Sequence, residues 1–287
     1  MSAPGTRTGS LLMEHLRRPG PLVTVELRPP PSDLGPAGGM EAWIDLHHSL
    51  RRLTGDDLFV FLTDNAVGDR EEENLAHVGG NVGDEVDLRR IVPILTCKHS
   101  LDYCLLFADR AASQGFDAMT VLGGDRDVGP PRCVDHANEL RGMIRDRVPG
   151  ISLGGWANPH KSARQQLGFL EAPDAYADFA LTQIVSHHSL AAVEDLLEGH
   201  ARSGLDTPLV FGVFFYRSAN PRTLDTLNRF FPVPAEALTR DFESSDAEAI
   251  CARTIRELRA VGAEKIYVSN LSNRGAGRRL RRILHEV

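Results

Sequence analysis

The chain has 287 residues, of which 42% are hydrophobic and 25% charged, and its formal net charge is -7. These values are ordinary for a globular protein with a large core, and the negative charge argues against nucleic-acid binding, which depends on excess lysine and arginine. Because no run of about 18 apolar residues occurs and residues 1–10 are polar, the sequence predicts a cytoplasmic protein without a membrane span or signal peptide. The four cysteines form no CxxC pair, which predicts free thiols.

Short apolar runs alternate with helical patterns along the whole chain. Residues 35–39 are predicted to be a Gly/Pro loop. Eight apolar runs predict strands, within residues 21–31 and at residues 58–62, 91–96, 118–122, 151–155, 178–185, 208–213 and 265–268. Helical spacing and capping residues predict helices at residues 10–18, 41–53, 69–77, 100–113, 134–147, 161–170, 190–202, 221–231, 235–242, 246–261 and 274–282.

This alternation predicts an α/β fold with a parallel sheet and right-handed crossovers. Eight strands in 287 residues fit a single (β/α)8 TIM barrel best. In this division residues 1–20 are an N-terminal extension with a short helix, and residues 21–287 are the catalytic barrel domain.

Glu26 stands at the carboxyl end of the first apolar run, just before the prolines that begin at Pro29. The carboxyl ends of barrel strands are where such folds place their chemistry. Burial there raises the pKa of a carboxyl group, so Glu26 is a candidate acid or base. The alternative is a glutamate that only hydrogen-bonds the following loop.

The other strand ends would place mainly polar side chains around one mouth. The predicted set is Glu26, Thr63, Asp64, Thr96, Asp125, Gln183, Tyr216 and Asn270. Carboxylates and amides with few lysines suit a neutral, amide-rich heterocycle better than a polyphosphate.

Several histidines follow predicted strands, namely His99, His160 and the pair at 187–188. No HExxH motif or other ligand spacing occurs, so we expect no metal and interpret these residues as loop or helix-end histidines. A metal-dependent barrel hydrolase that uses Asp64, His99, His160 and Asp125 remains an alternative.

In order and spacing, the strand ends resemble those of the methylenetetrahydrofolate reductase family over residues 23–274. Each motif is short, and their joint order makes the resemblance specific. The matching segments are Val25-Glu26-Leu-Arg-Pro-Pro30, Thr63 with Ala66, Leu95-Thr96-Cys97, Leu122-Gly-Gly-Asp125, Trp156-Ala-Asn-Pro-His160, Ala177-Asp178 with Thr182-Gln183, Gly212 and Asn273-Arg274.

The resemblance implies reduction of 5,10-methylenetetrahydrofolate to 5-methyltetrahydrofolate for one-carbon metabolism and methionine synthesis. It implies that Glu26 is the general acid that protonates N10. Asp125 would hold the pterin and stabilise the 5-iminium cation, and Gln183 would hydrogen-bond the pterin edge. Thr63 and Arg274 are further candidates for substrate contact.

Departures from the family pattern fall on positions that grip FAD in the family. Gly123, Trp156, Ile94 and Ala172 replace an arginine, a tyrosine, a histidine and a lysine. The loss of cationic partners for a pyrophosphate makes FAD binding doubtful. We therefore expect NADH or NADPH to give its hydride directly, and three residues that follow or end strands are candidates to contact this cofactor: Trp156, His160 and Tyr216.

Two alternatives lie close to this hypothesis. One is a conventional FAD-dependent reductase with a rearranged flavin site, and the other is a non-catalytic folate-binding barrel. The basic residues at 274–282 are interpreted as a solvated helix face, so the expected partner is a small folate and not nucleic acid or a membrane.

Overall fold

The computed structural model describes residues 9–30, 34–63, 85–125 and 129–287. The parallel strands form a closed barrel in which each strand pairs with its neighbours in sequence, and the last strand pairs with the first. The strands are β1 Leu22–Leu27, β2 Val60–Leu62, β3 Ile91–Thr96, β4 Ala118–Leu122, β5 Ser152–Ala157, β6 Phe179–Val185, β7 Leu209–Phe214 and β8 Lys265–Ser269. The predicted (β/α)8 TIM barrel is confirmed.

Helices surround this barrel and cover its outer face. The helices of the described residues are α1 Leu11–Arg17, α2 Pro36–Gly55, α3 Leu101–Gln114, α4 Ala137–Arg147, α5 Ala163–Glu171, α6 Leu190–Ser203, α7 Pro221–Leu227, α8 Ala235–Ser244, α9 Ala247–Ala260 and α10 Ala276–His285, with a 3-10 turn at Leu88–Arg90. Most predicted helices agree with these bounds to within three residues. The helix expected at residues 69–77 lies outside the described residues.

The predicted loop at residues 35–39 is wrong, because α2 begins at Pro36. Proline is favoured in the first turn of a helix, where its missing N–H would have no partner. Gly38 and Gly39 are thus helical residues of α2, and the expected start at residue 41 is too late.

Pro93 lies within β3, where a residue without a backbone N–H would be expected to disrupt the pairing. Its register explains why it is tolerated. Pairing with β2 ends at Pro93, opposite Leu62, and pairing with β4 begins at Ile94. The proline therefore stands where the strand changes partner, so its missing N–H costs little.

The barrel interior is filled by large apolar side chains. Phe59, Phe61, Phe179 and Tyr267 belong to one buried cluster. The short helix α1 contributes Leu12, Met13 and Leu16 to the same cluster, and its Leu11 N–H donates to Asp117, which precedes β4 (2.8 Å). Helix α1 therefore closes the end of the barrel where strands begin, which leaves the carboxyl end as the mouth.

Two helices after β7 pack over part of that mouth. The interior cluster includes Leu224 of α7, Leu238 of α8 and Phe231, which lies between these two helices. The ring centroid of Phe231 lies 5.4 Å from that of Phe214. None of the described helices has the length and apolar character needed to cross a membrane.

Candidate active site at the barrel mouth

Glu26 is the penultimate residue of β1 and points into the upper barrel interior. Its Oε1 accepts a hydrogen bond from the hydroxyl of Ser269, the last residue of β8 (2.9 Å). Burial raises the pKa of the Glu26 carboxyl, while the charge of Arg28 and the Ser269 hydrogen bond oppose this shift without cancelling it. The net result is a carboxyl group whose pKa lies above the ordinary value for glutamate.

A buried tyrosine lies close to this carboxyl. Tyr267 is two residues before Ser269 on β8, and burial together with the negative charge of Glu26 raises its pKa well above the usual value. Its hydroxyl donates to the backbone oxygen of Thr182 across the barrel (2.6 Å). The hydroxyl also fills the space beside Gly212, where a Cβ would stand 2.5 Å from it. Tyr267 thus forms an uncharged floor beneath the mouth.

Thr63 directly follows β2 and is half-buried. Its N–H donates to the backbone oxygen of Leu27 (3.0 Å), which places it beside the strand that carries Glu26. The structure therefore supports the prediction that these two residues share one region of the mouth.

Gln183 lies on β6 at an irregularity in the pairing with β7, between Leu181 and Ile184. Its Oε1 accepts from the Ile184 N–H (2.9 Å), and its Nε2 donates to the Phe230 backbone oxygen (3.3 Å). The amide is already paired with the backbone, so a ligand that uses it would exchange at least the longer of these bonds.

Asp125 is exposed, and no hydrogen bond or ion pair within the described part of the chain joins it to another candidate site residue. It follows Gly124, whose φ of 71° suits a glycine turn. Its charge is not among those that set the pKa of Glu26. The raised pKa of Glu26 is therefore an effect of burial and not of a second carboxylate.

The structure corrects one expectation about lost cationic partners. Gly123 replaces the family's arginine, but the guanidinium of Arg132 lies directly over it, and a Cβ on Gly123 would meet Arg132 Cζ at 2.7 Å. Arg132 also donates to the Gly124 backbone oxygen, and the stem of Lys98 packs against Gly124. A guanidinium is thus present beside residue 123, supplied from nine positions further along the chain.

The three candidates for cofactor contact occupy different environments. Trp156 is half-buried and lies within β5. The predicted strand ended at residue 155, whereas β5 continues to Ala157. His160 is half-buried, and its Nε2 lies 2.8 Å from the backbone oxygen of Ile184. Tyr216 is buried against Phe214, and burial raises the pKa of its hydroxyl.

Arg274 is exposed after β8 and lines a cleft of about 390 Å³ at the start of α10. The loop that leads to it is unusual, because Asn270 and Ser272 both have positive φ values, 68° and 64°. Non-glycine residues in this conformation are held by their surroundings, and here the Asn270 side chain donates to the Phe215 backbone oxygen (3.0 Å). Four of the residues that line the cleft are arginines, Arg274, Arg278, Arg279 and Arg282, and the charge of Arg282 is offset by its ion pair with Glu248.

The proposed hydrolase ligands are not brought together among the described residues. His160 contacts a backbone oxygen, and the ring of His99 lies tilted against that of Tyr103 with centroids 4.6 Å apart. Asp64 lies outside the described residues. The group of potential metal ligands that the described residues do form is a different one, His187, His188 and Asp241.

Sequence reasoning did not single out Ser269, Tyr267 or Arg132. Ser269 and Tyr267 belong to a short strand, and strand alternation would have placed both on the side of the barrel that carries Glu26. No local signal points to Arg132, because its approach to Gly123 depends on the path of the loop after β4.

The fold and the position of Glu26 define the class of protein: a (β/α)8 barrel with a protonatable carboxyl at the carboxyl end of its strands. No family model matches the chain, and no curated protein matches it. Among solved structures, a protein of Clostridium thermocellum is similar with a TM-score of 0.68 and 14% identity, over 96% of this chain and 97% of that one. That protein is described as uncharacterised and as binding two copies of 5-methyl-5,6,7,8-tetrahydrofolic acid.

N-acetylneuraminate lyase of Mycoplasma synoviae is also similar, in two crystal forms. The TM-scores are 0.52 and 0.51, the identities 12% and 13%, and the alignments cover 92% and 91% of this chain and 79% and 72% of the lyase chains. At these identities the similarities show the fold alone.

The environment of Glu26 predicts a specific pH dependence. If Glu26 acts as an acid, activity is present below its pKa and is lost as the pH rises through it, and burial moves this loss to higher pH. Replacing Ser269 with alanine removes a hydrogen bond that stabilises the carboxylate, so the alkaline limb of the kcat/KM profile should move further upward. The exposed Ser113→Ala on α3 is the control and should leave the profile in place. A downward shift in Ser269→Ala would contradict this account.

Proposed function

We propose that this protein is a methylenetetrahydrofolate reductase that transfers a hydride directly from NADH or NADPH to its folate substrate. The observation that carries the proposal is the partly buried Glu26, whose pKa is raised by burial at the mouth of the barrel. A general acid is needed to open the five-membered ring of 5,10-methylenetetrahydrofolate, and a carboxyl whose pKa is raised above the ordinary glutamate value is suited to this step. The motif resemblance over residues 23–274 and the similarity to a barrel described as binding methyltetrahydrofolate support the same substrate class.

In this mechanism Glu26 donates its proton to N10 of the substrate, and the bond between N10 and the bridging carbon breaks. The bridging carbon then forms an iminium with N5. Bound NADH or NADPH would supply a hydride to this carbon, which would reduce the iminium to a methyl group and oxidise the nicotinamide. Glu26 ends the cycle as a carboxylate and regains a proton from water.

The remaining candidate residues have proposed roles in binding. Gln183 and Asp125 would hold the pterin, and Thr63 lies close enough to the Glu26 strand to contact the same ligand. Trp156, His160 and Tyr216 would border the nicotinamide. The arginine-lined cleft at Arg274 would receive an anionic part of a ligand, because Arg274, Arg278 and Arg279 line it in addition to the ion-paired Arg282.

FAD is not required in this proposal, although Arg132 supplies a guanidinium beside the position of the family's arginine. The guanidinium of Arg132 occupies the position over Gly123, where it is tied to the Gly124 backbone oxygen. This guanidinium comes from a loop, and one of its N–H groups already donates a hydrogen bond to the protein itself. A conventional flavoenzyme with a rearranged site remains the closest alternative.

The test is oxidation of NADH and of NADPH by protein purified without added flavin, followed at 5,10-methylenetetrahydrofolate concentrations from zero to saturation. We expect folate-dependent oxidation with intersecting double-reciprocal plots, because both substrates must be bound together. Ping-pong kinetics, or activity that appears only when FAD is added, would support the flavoenzyme instead.

A non-catalytic folate-binding protein is the second candidate, favoured by the folate binding described for the similar Clostridium protein. In that case folate would bind and NAD(P)H oxidation would be absent with and without FAD. Binding of 5-methyltetrahydrofolate measured by calorimetry on the same sample separates this outcome from a protein that has lost its fold.

A further inference from the structure

A second cluster of ionisable side chains lies away from the contacts of Glu26. The loop after β6 carries His187 and His188, and both Nε2 atoms approach the same oxygen of Asp241 on α8, at 3.0 Å and 2.8 Å. The cluster is partly enclosed, since the side chains of His187 and Asp241 are 6% and 12% exposed and that of His188 is 25% exposed. Three donor atoms thus converge on one small volume.

Two imidazole nitrogens and one carboxylate oxygen are the donor set that Zn²⁺ and related transition metals prefer. The ligand atoms lie within 4.8 Å of one another. Two ligands of one zinc ion are separated by about 3 to 3.5 Å when each bond is about 2.1 Å long, so the observed separations need little adjustment. A carboxylate shared between two neutral histidines can also be held by hydrogen bonds alone, which is the competing explanation.

The surroundings of the cluster resemble the outer contacts of known metal sites. The remaining nitrogen of His187, Nδ1, lies 2.7 Å from the hydroxyl of Thr254 on α9, and this contact fixes the orientation of the ring. The second oxygen of Asp241, Oδ1, accepts from Arg253 (3.0 Å), whose other nitrogen donates to Ser245. Metal ligands are commonly oriented by such second contacts.

We propose that His187, His188 and Asp241 form a binding site for a divalent transition metal ion, of which Zn²⁺ is the expected example. Three protein ligands leave a coordination position for water. The site would tie the loop after β6 to α8 and, through Thr254, to α9. This departs from the expectation that the chain holds no metal, and it is independent of the proposed reductase activity.

The experiment uses the full chain without a histidine tag, dialysed against a chelator and then freed of it. Titration with Co²⁺ should produce visible d–d absorption that saturates at one ion per chain, and Zn²⁺ should displace it. The melting temperature should rise with bound Zn²⁺, because an ion that binds only the folded state stabilises it.

Three variants and one control test the assignment. His188→Gln and Asp241→Asn should abolish the saturating Co²⁺ signal. Neither change is expected to unfold the protein, because the His188 side chain is partly exposed and asparagine has the same shape as aspartate. Thr254→Val should weaken binding by about 10- to 100-fold, the usual effect of losing an outer contact. His285→Gln, at an exposed position on α10, should bind like the unchanged protein.

The proposal is overturned if the chelator-treated protein shows no saturating Co²⁺ signal, since hydrogen bonds then suffice to explain the cluster. It is also overturned if Asp241→Asn binds as tightly as His285→Gln. Melting curves without metal, recorded for every variant, identify any loss of binding that comes from loss of the fold.

Discussion

Replacing Glu26 with glutamine is expected to lower kcat by about 10²- to 10⁴-fold, the usual contribution of a general acid, while folate binding is retained. Glutamine keeps the size of the side chain and an oxygen that can accept from Ser269. It cannot deliver a proton to N10. The measurements are kcat from folate-dependent NAD(P)H oxidation and the Kd of 5-methyltetrahydrofolate from calorimetry.

The same substitution should leave the protein at least as stable at neutral pH. Because the folded-state pKa of Glu26 is raised, the protonated form stabilises the fold at low pH, and this stability is lost as the pH rises through the folded-state pKa. Glutamine stays uncharged at every pH, so the variant does not lose this stability as the pH rises. Equal turnover in Glu26→Gln and the unchanged protein would remove Glu26 from the mechanism, and loss of both turnover and folate binding would point to a structural role.

Most of the fold could be predicted because buried parallel strands leave a clear pattern. The strand at residues 118–122 and the strand at residues 91–96 have the bounds that their apolar runs indicate. Errors arose where one residue type fits two conformations. Pro36 followed by glycines is compatible with a loop and equally with a first helical turn, and only the packing of α2 decides between them.

The candidate site could be predicted only in part. Glu26 was found because it ends an apolar run before prolines, a signal that lies within a few residues. The hydrogen bond from Ser269 joins residues 243 positions apart and follows from barrel closure between β1 and β8. Arg132 over Gly123 and the meeting of His187 with Asp241 depend on loop paths and helix packing, which periodicity does not encode.

The second large effect is expected from Phe61→Ala, which tests the link between the barrel core and the acid. Phe61 is fully buried on β2, and its Cα is paired with that of Glu26 on β1. Paired residues of adjacent strands point to the same face, so its ring fills the interior beside Glu26. The ring also lies 6.1 Å from that of Tyr267 and 6.3 Å from that of Phe179. Its truncation removes contacts with several interior side chains at once.

We expect Phe61→Ala to lower the free energy of unfolding by about 3 to 5 kcal/mol, because it combines lost burial with a cavity in a closed interior. Phe169→Ala is the matched control, since that ring is 58% exposed on α5 and its loss should change stability by less than about 0.5 kcal/mol. Urea unfolding of both variants gives the comparison. A loss of stability in Phe61→Ala no larger than in the control would mean that the interior closes around the missing ring.

The cavity should also change the acid, which makes this substitution informative about function. Burial is the cause that raises the pKa of Glu26, so water admitted beside it should lower that pKa toward its ordinary value. The alkaline limb of the kcat/KM profile should then move to lower pH, opposite to the shift expected for Ser269→Ala. An unchanged limb in a folded, active Phe61→Ala protein would show that the interior packing at this position does not control the proton of Glu26.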